Sequence, residues 1–142
     1  MIHNIRYRVF VYEDEDEAEI IEALSYILPT AVPDKEIAEG LMENPITILS
    51  GKIAKKRELK DFFSRLLDED NVDIAKFSQD LDKKIDKNGN LFLRFSKKAA
   101  ANEKFEILDS GDSIHLKIKI AAYPAKKEIA IKIINENIDL IE

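Results

Sequence analysis

The chain has neither cysteine nor tryptophan. Without thiols there is no disulfide, no thiolate metal site and no cysteine nucleophile. Only two histidines occur, His3 and His115, in different segments, too few for a histidine metal cluster or a recognisable catalytic triad. Glycine and proline, four of each, are too scarce for a fibrous or disordered chain. No apolar run approaches the roughly 20 residues of a membrane span, and none near the N-terminus has the form of a signal peptide. A cytoplasmic protein with no membrane partner is expected, with neither a cofactor nor a metal.

What is present is a chain of 142 residues, 45% hydrophobic and 35% charged. That length suits one domain over residues 1–142, which can bury roughly 68–70% of the unfolded surface. The formal net charge is −6, which at first sight opposes a polyanionic ligand. The distribution matters more than the sum. Acid gathers in "EDEDEAE" (Glu13 to Glu19) and "LDEDNVD" (Leu67 to Asp73), base in "GKIAKKRELK". From Arg94 to Lys127 eight basic residues (94, 97, 98, 104, 117, 119, 126, 127) face four acids (103, 106, 109, 112). One side of the molecule should therefore be cationic.

Three motifs fail on inspection. "SGK" at Ser50 to Lys52 has the ending of a phosphate loop, but Ile46 stands where that motif needs glycine and Ile53 where it needs Ser or Thr. "DKNGN" offers Asp86, Asn88 and Asn90 at calcium-loop spacing, yet Leu91 replaces the required glycine and Lys97 the bidentate acid. It reads as a helix-to-strand turn. The acidic run at 13–19, weighed as a cation site, is better read as the first turn of a helix, where negative charge is favourable.

Periodicity supplies the elements. Period-two alternation predicts strands over Asn4–Tyr12, Pro45–Ile53, Leu91–Lys97, Phe105–Leu108 and Ser113–Ala121, with "DSGD" (109–112) as a hairpin turn between the last two. Helical spacing predicts a helix started by Asp14 and Glu17 and ended by Pro29 and Pro33, a second over Lys56–Asp68, a third from Ile74 closed by Asn88-Gly89, and a last one opened by Tyr123-Pro124. The segment between Pro33 and Pro45 reads as a loop. This order predicts an α+β fold: a two-layer sandwich with a mostly antiparallel mixed sheet and its helices packed on one face.

If every strand turns its apolar side toward the helices, the opposite side carries Arg6, Arg8, Phe10, Tyr12, Phe92, Arg94, His115, Lys117 and Lys119. Lys97 and Lys98 follow directly, and Lys52, Lys55, Lys56 and Arg57 form an adjoining edge. Cations neutralise phosphates and exposed rings stack bases, so the pattern points to RNA, single-stranded or structured, with Phe92 as the stacking ring. Lys126 and Lys127 at the start of the last helix add a phosphate site beside unpaired N–H groups. On this reading the acidic helix start faces away. The same face read as a protein-interaction surface, docking an acidic partner or a second copy, is the alternative, and no catalytic constellation argues for an enzyme.

Three stretches, "EGLMENPITIL", "LDKKIDKNGNLFLRFSKKAA" and "IKIAAYPAKKE", resemble in order and spacing the archaeal family described as predicted RNA-binding exosome subunits. The resemblance implies a fold like that of large-subunit ribosomal protein five, a part in RNA processing or decay beside exosome or ribosome-related proteins, and no catalytic residue of its own. The chain departs from the family pattern at Ser96 and Glu43.

Overall fold

The computed structural model describes residues 1–39 and 44–141. The first resembling stretch, with Glu43, lies partly outside them. In chain order the elements are β1 (Ile2–Val11), α1 (Glu17–Ile27), β2 (Asp34–Glu39), β3 (Pro45–Ile53), α2 (Lys56–Leu66), α3 (Ile74–Lys84), β4 (Asn90–Phe95), α4 (Lys97–Ala101), β5 (Ile107–Leu108), β6 (Ile114–Ile120) and α5 (Lys127–Ile141). The six strands form one sheet in the order β2-β3-β1-β6-β4-β5, antiparallel at every pairing. Helices cover one side, giving the two-layer α+β sandwich.

Alternation does the sorting. Ile5, Tyr7, Val9 and Val11 of β1, Leu91, Leu93 and Phe95 of β4, and Ile114, Leu116, Ile118 and Ile120 of β6 are all buried. They meet Leu24 and Ile27 of α1, Phe62 and Leu66 of α2, Phe77 and Leu81 of α3, and Ala130 and Ile134 of α5 in one apolar core. Phe95 sits edge-on to Phe62 at 6.4 Å and to Phe105 at 5.3 Å. Opposite Tyr7 in the register stands Gly51, and a side chain there would collide with the Tyr7 hydroxyl. Burial pushes the Tyr7 phenol above its ordinary pKa, and the Asp34 carboxylate adds to the effect.

Two elements depart from expectation. β2, "DKEIAE", has little strand propensity, but its backbone pairs with β3 along its whole length as an edge strand. The strand expected to reach Lys97 stops at Phe95, because the Ser96 hydroxyl accepts the Ala99 N–H at 3.1 Å and caps a short alanine-rich helix, α4.

The turns also differ. Residues 109–112 are not a hairpin between β5 and β6; β5 pairs with β4, and the turn carries the chain past β4 to β6. The cap of α1 is Asp16 rather than Asp14, its carboxylate accepting the Ala18 N–H at 2.9 Å. α3 ends at Lys84 with Ile85 as its C-cap, so Gly89, at φ +80, serves the 86–90 turn instead of closing the helix. There Asp86 accepts the N–H groups of Asn88 and Asn90 and the Asn90 amide. Partial burial raises the Asp86 pKa, but the Asn90 and Asn88 donors and the charge of Lys117 outweigh it, and the net shift is downward. α5 starts at Lys127, three residues beyond Pro124. Among the described residues no helix is long and apolar enough to cross a membrane.

Candidate nucleic-acid interface

The uncovered side of the sheet is ordered by strand register. Residues directly opposite in an antiparallel pair point to the same side, with Cβ atoms about 5 Å apart. β1 pairs Arg6 with Lys52 of β3 and with Lys117 of β6, and β6 pairs Lys117 with Phe92 of β4. One rung across four strands therefore reads Lys52, Arg6, Lys117, Phe92. The next reads Asp34, Ser50, Arg8, His115, Arg94, Leu108. A third brings Lys119 between Asn4 and Asn90.

Between the first two rungs lies a shallow depression of about 500 Å³ whose lining includes Arg6, Arg8, Lys52, His115, Lys117 and Phe92. Among the described residues none of these cations, nor Arg94 or Lys119, has a carboxylate at ion-pair distance, while Lys35, Lys84 and Lys127 do. The rings are engaged with the cations. His115 stacks on Phe92 with centroids 6.0 Å apart and planes 17° from parallel, Lys117 Nζ sits 6.0 Å from the Phe92 centroid, and Arg8 lies 5.2 Å over Phe10. Half-burial, then the positive charges of Arg94 and Arg8, hold His115 below the ordinary imidazole pKa. Arg94 also donates to the Gly111 carbonyl at 3.2 Å and to Ser113 Oγ at 3.4 Å, which ties it to the 109–112 turn without neutralising it.

Arg6, Arg8, Phe92, Arg94, His115, Lys117 and Lys119 are thus brought together on three adjacent strands. Lys52 of β3 stands beside them on the first rung, whereas Lys97, Lys98 and Lys127 are drawn elsewhere. Lys97 Nζ donates to the Phe10 carbonyl (2.6 Å), to both oxygens of Glu15 (2.9 and 3.2 Å) and to Asp112 (2.8 Å), and its side chain is 10% exposed. It is a structural bridge, not an open phosphate contact. Nor does the acidic helix start face away: Glu15 is drawn to this end of the sheet by Lys97, and Asp112 lines a small depression together with Arg8, Arg94 and His115. Lys98 lies on α4, which packs beside α1 in the helical layer. Lys127 pairs with Asp82 at 3.2 Å, whereas Lys126 is exposed where α5 begins.

Periodicity alone does not reveal Lys76, Lys83 and Lys84 of α3, which the fold places beside Phe92 and Arg94 at the sheet edge. Only the pairing of strands shows that this end of α3 borders the face.

Residues 4–120 match the family model described as RNA binding. An RNA-binding protein of Pyrococcus abyssi is 30% identical over 141 residues, covering 94% of this chain and 92% of that protein. An uncharacterized protein of Methanocaldococcus jannaschii is 27% identical over 147 residues, with 96% and 97% covered. Among solved structures, a DUF54 protein from Methanothermobacter thermautotrophicus superposes with a TM-score of 0.87 at 43% identity, over 96% of this chain and 97% of that one.

Proposed function

The chain belongs to the family described as RNA binding, and from that membership we propose that it is a non-catalytic protein that holds RNA against the uncovered side of its sheet. One observation carries the reading. Like charges directly opposite on neighbouring strands destabilise a sheet, yet Lys52, Arg6 and Lys117 stand in one row with no carboxylate between them. A phosphate backbone laid across the row turns that repulsion into attraction. The contacts are to backbone and shape, so little base specificity is expected from the rows themselves.

Through its resemblance to exosome-subunit proteins, the finer setting we assign is cytoplasmic RNA processing or decay, as an accessory factor beside exosome or ribosome-related proteins. The test is a salt titration of binding to single-stranded RNA. Each phosphate contact gives a slope of about −0.7 in log affinity against log salt, so four to six contacts predict roughly −3 to −4. Absence of RNA binding, with salt-insensitive capture of a protein partner, would instead favour an interaction surface.

His115 makes the binding pH-dependent. Burial first, and then the charges of Arg94 and Arg8, depress its pKa; a phosphate seated between the two arginines offsets the second cause, so the imidazole pKa is higher in the complex than in the free protein. Binding then takes up a proton, and affinity rises as pH falls from the bound value toward the free value, by at most about tenfold per pH unit. His115→Gln should flatten the profile of affinity against pH. For folding the sign is the opposite: the folded pKa lies below the unfolded one, so the stability contributed is full above the unfolded value and is lost as pH falls through the folded value.

A further inference from the structure

A second recess opens around the corner from the sheet face. Its lining is Lys76, Asp80, Lys83 and Lys84 from α3 on one side and Phe92, Arg94, Leu108 and Asp109 on the other, with a volume of about 540 Å³. It exists because β5 is only two residues long and pairs with Arg94 and Phe95 alone. Among the described residues the outer edge of β4 from Asn90 to Leu93, away from β6, therefore has no strand beside it, apart from the single bridge between Ile85 and Leu91, and α3 bounds the gap. Four cations line the recess against two carboxylates, and Lys84 is already paired with Asp109 at 3.6 Å. Phe92 borders this recess and the depression on the sheet face alike.

We infer that this cleft receives one unpaired nucleotide of the RNA, the base against Phe92 and the flanking phosphates on Lys76 and Lys83, while the neighbouring strand runs across the rows of β1 and β6. The inference rests on the sheet-face reading and adds a ligand class to it: single-stranded RNA. The volume lies within the range of about 300–1,000 Å³ typical of small-ligand sites. A duplex keeps its bases paired inside and offers the recess only backbone, whereas an unpaired strand can turn a base into it. Lys76 and Lys83 are exposed on α3 and have no ion-pair partner among the described residues, so they are available to phosphate.

The experiment compares a labelled single-stranded oligoribonucleotide of about 12 nucleotides, within the span such surfaces cover, with a duplex of the same length. Lys76→Gln combined with Lys83→Gln should weaken single-strand binding about tenfold and flatten its salt slope by about 1.4, the share of two phosphate contacts. Duplex binding should change less than about twofold, because a duplex reaches only the sheet face. Phe92→Leu, which keeps the strand apolar, should lower single-strand affinity about tenfold or more, the loss of one base stack. Equal losses for single strand and duplex, or no loss for the single strand in both variants, would overturn the cleft while leaving the sheet face standing. Failure of the wild-type protein to bind either RNA would overturn both. Unchanged thermal unfolding of each variant excludes misfolding as the cause of a loss.

Discussion

Replacing Arg6 and Lys117 together by glutamate should weaken binding of single-stranded RNA about 100-fold and leave the fold intact. The two side chains face each other across β1 and β6, and both are exposed. Reversal changes the interaction with nearby phosphate by four unit charges, each worth about 1 kcal/mol at 4 Å in water before salt screening. Screening at about 0.1 M salt, with a Debye length of about 10 Å, leaves about two-thirds of the sum, and the resulting ~2.7 kcal/mol is a factor of about 100 in affinity. The salt slope should flatten by about 1.4 as two contacts are lost. Stability is spared because one like-charged pair replaces another: the cross-strand repulsion already present between arginine and lysine merely changes sign. Binding by fluorescence anisotropy over a salt series, with a melting curve of the variant, measures both halves of the expectation.

Arg65→Ala should cost about 3 kcal/mol of folding stability, near 10 °C in melting temperature for a chain of this length. α1 carries no basic residue in its last turn, and Arg65 reaches across from α2 to fill that role. Its guanidinium donates to the carbonyls of Ile27, at 3.1 Å, and of Tyr26, and lies 5.5 Å over Tyr26 and 5.1 Å over Phe105. Truncation strands those carbonyls at the negative end of the α1 dipole and removes the plate that holds the two rings together. Asp61, 3.8 Å away and mostly exposed, contributes little, so Asp61→Ala should be nearly neutral by the same measurement. RNA affinity should be unchanged below the melting transition, since Arg65 belongs to the helical layer and not to the cationic rows.

Alternation made much of the face legible in advance. In β6 the residues Ile114, Leu116, Ile118 and Ile120 are buried and His115, Lys117 and Lys119 turn outward, as their spacing requires. The same rule places Arg6 and Arg8 of β1 and Phe92 and Arg94 of β4. Where local pattern and tertiary pairing disagree, pattern loses. "DKEIAE" becomes a strand because β3 has a side to offer it, and Phe105–Leu108 turns to β4 rather than to the strand that follows it. Lys97 illustrates the same limit at the level of chemistry. Its spacing from Arg94 suggests a continuing basic row, but its partners Glu15 and Asp112 converge on it only in the folded chain. Lys76 and Lys83 escape notice for a related reason: their helix borders the binding face only because β5 is short.

The decisive measurement follows the backbone amide resonances of isotope-labelled protein during titration with single-stranded RNA. With RNA on the cationic rows of β1, β6 and β4, the largest shifts cluster at Arg6, Arg8, Phe92, Arg94, His115 and Lys117 while α1 and α2 stay unmoved. Shifts concentrated on α1, α2 and α5, with the sheet silent, would place the RNA elsewhere and overturn the sheet-face reading.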